Sequence, residues 1–425
     1  MRNHRINLLP HIDWLLVFIY IILVCFGWMN IYAASSSENH QELLDFSTRY
    51  GKQIIWMGFS VVISIFLLFI ESSFYEKFAA YIYLACMILL AGLFLAGKNI
   101  NGATSWYAIG SFSIQPTEFA KTGTVLALAR LLNERQFSFK PFVNKVKTFV
   151  IIMVPAVLIT LQPDPGSALV YVSFILLFYR EGLHSNILII GTLAIVLFVT
   201  TLVFGYLYVI AGACVTTAII LWYISKVRKK ILRFVWPKII GVLTIVSGYI
   251  YSVYFLFHYV FQQRHRDRFN ILLGLSDDTS DIGYNTYQSI KTIASGGFWG
   301  KGYLQGDRTQ GKFVPEQDTD YIFSTIGEEW GFWGSALVVI LFMAFILRIL
   351  YLAEKQKSKF SRIYGYGVAC VFFFHVLINV AMVIGLFPTI GIPLPFFSYG
   401  GSSLWGFTML LFIFIKLDAA KKYEL

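Results

Sequence analysis

The run SNILIIGTLAIVLFVTTLVFGYLYVIAGACVTTAIILWYIS, Ser185–Ser225, contains 41 residues and no charged side chain. A helix that crosses a bilayer needs about 20 predominantly apolar residues at ~1.5 Å each. The run is therefore too long for one span and long enough for two, and it divides most naturally near Gly205. That division matters beyond its own length. Merging the two halves into one helix would move every later loop to the opposite side of a membrane.

Apolar runs recur on both sides of this stretch. The chain of 425 residues is 57% hydrophobic and only 13% charged, and its mean hydropathy of +0.67 lies outside the soluble globular class. Further spans are expected at Trp14–Ala34, Gln53–Ile70, Phe78–Ala96, Thr117–Leu132, Thr148–Leu161, Gly166–Tyr179, Ile239–Val260, Tyr321–Leu347, Ile363–Leu386 and Phe397–Ile415. The fifth and sixth are short for a span. The expected architecture is an all-α polytopic integral membrane protein with about 12 transmembrane helices, a number set by the span length. It reads as a single transmembrane domain over residues 1–425, with a large extracytoplasmic loop, 261–320, before the tenth span. The sequence AASSS after the first run resembles a cleavage site. The run before it is longer than a typical signal core, so a retained anchor is expected.

The net charge of +11 invites a nucleic-acid partner, but the placement of the charge excludes that class. With the N-terminus inside, roughly two thirds of the Lys and Arg residues fall in cytoplasmic segments, and most of the remainder lie in the long loop that the positive-inside rule discounts. The cluster KVRKKILRFVWPK, 226–238, is then cytoplasmic, as are both termini. The four cysteines, Cys25, Cys86, Cys214 and Cys370, sit inside apolar runs without metal or disulfide spacing and are expected to be small core residues.

This topology collects four polar segments on the outer face: Asn101–Lys121, Leu161–Ala168, the end of the long loop, and Pro388–Ser403. In QPTEFAK, Pro116 suits a first helical turn, and Glu118 and Lys121 share a face at i, i+3. They form either a local ion pair or, with Gln115 and the free N–H groups of the helix start, an anion site. In QPDPG, Asp164 suits a helix cap with Pro165 behind it. SYGGSS places Ser398, Gly400 and Gly401 where a lipid head group approaches backbone, or where helices pack closely. Arg266 and Arg268 in HRDR suit a diphosphate or an anionic lipid surface. In PEQDTD, Glu316, Asp318 and Asp320 lack the glycine and distal glutamate of a calcium loop, which leaves a looser Mg²⁺ or Mn²⁺ contact, with Asp320 as the one candidate ligand. Asp320 is the acid nearest the membrane. Glu328 and Glu329 follow on a helix, about 100° apart, and are not expected to face one cavity.

QPTEFAK, QPDPGSAL, SGGFWGKGYLQGDRTQGKFVPEQDTDYIF and NVAMVIGLFPTIGIPLPFFSYGGSS, in this order, resemble the SEDS family of bacterial cell-wall membrane proteins (shape, elongation, division, sporulation). The resemblance covers nearly the whole chain. GKGYLQG followed by TQ, and GIPLPFFSYGG, look like the elongation branch rather than the division-type member. The resemblance implies a peptidoglycan glycosyltransferase that polymerises lipid II at the outer surface of the cytoplasmic (inner) membrane. It also implies a class B penicillin-binding protein transpeptidase as partner within an elongation complex, and roles for Asp320 as the essential aspartate, Lys121 as the motif lysine and Glu118 as the helix-start acid. Three departures stand out. Asp318 replaces the usual histidine of the PExHTDF motif, Ser113 replaces an arginine common in division members, and the expected spans exceed the family's usual ten by a pair between Ser185 and Lys238. A lipid II flippase and a non-catalytic scaffold are the rival functions. A flippase needs a polar route across the bilayer, and a scaffold needs no particular carboxylate.

Overall fold

In the computed structural model of the chain, Asp13 opens the first helix by accepting the Leu16 N–H at 2.9 Å, and the apolar run behind it forms α1 (Trp14–Ser35). Thr48 caps α2 (Arg49–Phe69) in the same way, and α3 (Ser72–Ala96) follows after a two-residue link. The structure describes residues 11–36, 45–100, 102–110, 112–135, 137–227, 229–261, 263–273, 275 and 283–421. They divide into two compact units, Met1–Leu183 with Asn285–Leu425, and His184–Tyr284.

In the first unit, three short strands form a small antiparallel sheet in the order β1 (Lys98–Ile100), β2 (Ala103–Ile109), β3 (Phe112–Ile114). The sequence marks part of this stretch only as polar, and the strand pairing comes from the fold. Three helical stretches follow: α4 (Pro116–Leu132), α5 (Phe142–Leu161), and a broken pair, α6 (Pro165–Leu169) and α7 (Phe174–Arg180), with a 3₁₀ turn between them. After α12 (Tyr284–Gly296), α13 (Asp307–Gln310) and α14 (Ile322–Glu329) come three long helices: α15 (Gly331–Glu354), α16 (Lys359–Val383) and α17 (Gly401–Ala420). Over their most apolar windows α17 and α16 are 83% and 72% buried, whereas α1–α3 reach at most 39%. The core therefore sits on α16 and α17, with α4 pressed against both. Gly406 permits that approach, since a Cβ there would lie 2.9 Å from the Glu118 Cβ.

In the second unit, α8 (Asn186–Phe204) and α9 (Tyr206–Val227) are separated by Gly205 at φ +83°, where the charge-free run was expected to divide. α10 (Lys229–Phe255) continues into a π turn, and α11 (Gln263–Leu272) follows. The Tyr249 hydroxyl donates to the Ala194 carbonyl at 3.0 Å and joins α10 to α8. No side chain of α9 is buried. For a helix in lipid this is unremarkable, because acyl chains are as apolar as Leu.

Among the described residues, 10 helices are long and apolar enough to cross a membrane. The other two expected spans correspond to α4, with 17 residues, and to the broken stretch Pro165–Arg180. Four details differ from expectation. The fifth span begins at Phe142, not Thr148, because Lys145 and Lys147 lie within its helix. The tenth is two helices, since Gly331 takes φ +66° and its backbone closes on Gly300, leaving no room for a Cβ. The long loop contains α11, α12 and α13. Of the cysteines, Cys86 is buried, but Cys25 and Cys214 are exposed on their helices, as small apolar side chains facing lipid can be.

Candidate active site

The four polar segments meet at one end of the first unit. Thr104 N–H donates to the Gln162 carbonyl at 3.1 Å. Gln115 donates from its amide to Asp164 at 3.2 Å and from its backbone to the Ser402 hydroxyl at 3.1 Å. Gly166 lies so close to the Ile390 carbonyl that a Cβ would stand 2.2 Å from it. The Ser398 hydroxyl donates to the Thr319 carbonyl at 2.6 Å, and Tyr399 N–H donates to the Asp318 carbonyl at 2.8 Å.

α4 begins at Pro116 as its sequence suggests, with Gln115 in extended conformation before it. One turn in, the Lys121 ammonium donates to Glu118 at 2.8 Å, both side chains almost fully buried. It also contacts His375 Nε2 at 3.0 Å and lies 4.8 Å from the Phe407 ring centroid. The ion-pair reading of Glu118 and Lys121 thus describes their geometry, and the pair is built into the core rather than standing at a surface.

His375 lies four residues before Asn379 on α16, about 6 Å along the axis. Asn379 donates to the Asp320 carbonyl at 2.8 Å and to the Ile392 carbonyl at 2.7 Å. One face of α16 therefore carries both the contact to Lys121 and the anchor of Asp320. Asp320 itself is half-buried at the end of the loop before α14. Its carboxylate lies against Gly391, where an added Cβ would be 3.2 Å from Oδ2.

Asp318 has a different setting. It is buried, and the Arg49 guanidinium donates to it at 2.6 Å while standing 3.6 Å from Glu316. Burial pushes the Asp318 carboxyl up from its ordinary range, against the pull of Arg49. Asp164 caps α6 by accepting Ser167 N–H at 3.1 Å, the structural role its sequence context suggested. Gly400 N–H donates to Gln53 at 3.2 Å from a backbone at φ +155°, and a Cβ on Gly401 would lie 2.9 Å from the Trp56 ring, so Gly401 serves close packing. Ser398 also accepts Leu394 N–H at 2.7 Å and ties the loop after α16 to the one that ends in Asp320.

Glu328 is wholly buried and accepts from Lys301 at 2.8 Å, from the N–H groups of Arg308 and Thr309 at 3.0 and 2.7 Å, and from the Thr309 hydroxyl at 2.8 Å. It organises the segment between α12 and α14. Arg266 and Arg268 belong to the second unit, on α11. There Arg266 donates to the His258 carbonyl at 3.1 Å and to Gln263 at 2.6 Å. Among the described residues no group of three or more His, Cys, Asp or Glu side chains is placed to hold a metal ion.

Sequence reasoning passed over Arg49, Gln53, His375, Asn379 and Ser402. The signal for two of them was present. His375 and Asn379 are polar residues at i, i+4 in an otherwise apolar run, and polar groups at membrane depth normally face partners or a cavity.

The model of the FtsW/RodA/SpoVE cell cycle protein family matches residues 13–240 and 211–423. The chain is 32% identical to peptidoglycan glycosyltransferase RodA of Treponema pallidum, covering 94% of this chain and 96% of that protein. It is 29% identical to peptidoglycan glycosyltransferase MrdB of Escherichia coli, with 93% and 90% covered. Its fold is similar to a chain of a peptidoglycan synthase complex solved for its coordination of polymerization and crosslinking, at TM-score 0.71 and 25% identity, with 97% and 99% covered.

Proposed function

The chain belongs to the FtsW/RodA/SpoVE family of cell cycle proteins, and from that premise we propose that it is a peptidoglycan glycosyltransferase of the RodA type. It polymerises lipid II into glycan strands at the outer face of the cytoplasmic membrane and serves elongation and cell shape. RodA and MrdB relatives match this chain at 32% and 29% identity, and FtsW relatives at 26% and 28%. The observation that carries the reading is one face of α16, on which His375 contacts the Lys121 ammonium and Asn379, about one helical turn on, holds the backbone carbonyl of Asp320.

Asp320 acts as the general base. It takes the proton of the acceptor GlcNAc 4-hydroxyl as that oxygen bonds to the donor's anomeric carbon, and the bond from that carbon to the diphosphate breaks. The diphosphate leaves as an anion whose growing charge needs fixed positive groups. Lys121 supplies that charge, with Gln115 shaping the start of α4. Holding the polyprenyl chain in the membrane makes the attack effectively intramolecular. Any divalent cation would arrive with the diphosphate and meet Asp320 as its protein ligand. A class B penicillin-binding protein transpeptidase is the partner that cross-links the product, a reading supported by the polymerase–crosslinking complex among the structural relatives.

A flippase is the weaker reading. Phe345, Phe372, Phe396 and Phe407 pack ring against ring at 5.1–6.0 Å, and Phe407 lies beside Lys121 and His375, so the site is flanked by an aromatic cluster rather than by polar groups. The deciding experiment is polymerisation of lipid II by the purified protein, with and without its transpeptidase and with and without chelator. Product from wild type and none from Asp320→Asn supports the enzyme. Transbilayer movement of lipid II in vesicles without polymer would replace it with the flippase.

A further inference from the structure

We infer that His375 is a positioning residue for this reaction, holding the Lys121 ammonium in place through its Nε2 and anchoring itself to the loop between α16 and α17 through its Nδ1. The inference rests on the function proposed above. An ammonium has three N–H donors and no acceptor. One donor of Lys121 serves Glu118 at 2.8 Å, another meets His375 Nε2 at 3.0 Å, and the cation lies over the Phe407 ring at 4.8 Å. Nε2 must therefore accept, which makes His375 a neutral imidazole with its proton on Nδ1. That proton points at the Pro393 carbonyl, 3.2 Å away. The hydrogen bond made by one ring nitrogen thus sets the role of the other.

The loop reached by Nδ1 is the one that holds Asp320. Ile392, the residue before Pro393, accepts from Asn379, which also holds the Asp320 carbonyl, and Gly391 lies against the Asp320 carboxylate. His375 and Asn379 together fix the base and the cation to one stretch of backbone. His375 keeps the ammonium in register while the donor substrate is bound.

The plain alternative is a ring that fills space, since His375 packs edge-on against Phe407 at 4.8 Å and 90°. Two variants separate the roles. His375→Gln keeps an acceptor and a donor without the ring, and His375→Phe keeps the ring without either. With purified protein and lipid II, His375→Gln is expected to retain most of the wild-type kcat. His375→Phe is expected to lose about 10²-fold in kcat, the scale of a misplaced catalytic group. A Phe variant as active as wild type, or a Gln variant as poor as Phe, would overturn the inference. Absence of polymer from wild type would instead overturn the function beneath it. The tautomer is a readout independent of substrate. In ¹⁵N-histidine spectra, the resonance lost in His375→Gln is expected to carry its proton on Nδ1, and a proton on Nε2 would contradict the assignment.

Discussion

Asp318 and Asp320 are two residues apart and have opposite surroundings. Asp320 is half-buried beside Gly391, with its backbone held by Asn379. Asp320→Asn keeps size and hydrogen bonding but cannot take up the acceptor's proton, so polymerisation is expected to fall by ~10²–10⁴ with no change in melting temperature. Asp318→Asn is expected to retain most activity. Burial raises the Asp318 pKa in the folded protein, so the folded state binds more protons than the unfolded one. Its stability is then fully present below the unfolded pKa and declines as pH rises through the folded one. Asn imitates the protonated acid, and a plot of melting temperature against pH should lose that decline in the variant. Arg49, half-exposed, gives up little when its partner is neutralised. Lys121 lies at the other extreme. Lys121→Met strands the buried Glu118 carboxylate, a loss of about 3–5 kcal/mol for a broken buried pair. Adding Glu118→Gln should restore the melting temperature but not polymerisation, which separates the stability role of the pair from the catalytic role of the charge.

At the scale of elements, two of the helix breaks sit at glycine. Gly205 at φ +83° divides α8 from α9, and its place could be argued from length alone. Gly331 at φ +66° divides α14 from α15, and a Cβ there would stand 2.3 Å from the Gly300 nitrogen. Gly331→Ala therefore meets both strain and collision. A strained backbone of this kind costs of order 1–3 kcal/mol, and the collision adds to it. The expected result is a clearly lower melting temperature in detergent, whereas Gly248→Ala, on α10 with open space around it, should leave it unchanged. The break has a further consequence. It places Glu328 on a separate short helix, inside a cage of Lys301, Arg308 and Thr309, rather than within a spanning helix where an acid would be costly.

At the scale of the whole molecule, the basic residues predict orientation. Single cysteines in place of Lys226, at the end of α9, and Gln310, at the end of α13, are both expected at exposed positions. On intact cells an impermeant thiol reagent should label position 310 and not 226. The reverse pattern would place the candidate site in the cytoplasm and remove its access to an outer-face reaction.

The membrane character, the division of the charge-free run, the helix start at Pro116 and the candidacy of Asp320 and Lys121 were all legible in the chain, because apolar length, proline, caps and motif order are local properties. Other features were not. The small antiparallel sheet depends on strand pairing between short segments, and the break at Gly331 depends on a loop 31 residues earlier pressing against it. Arg49 meets Asp318 across 269 positions, and Lys121 meets His375 across 254. Nothing near any of these residues in sequence encodes its partner. An apolar helix can bury a charge only where another helix brings a matching group to it, and that meeting is decided by how α4, α16 and α17 pack.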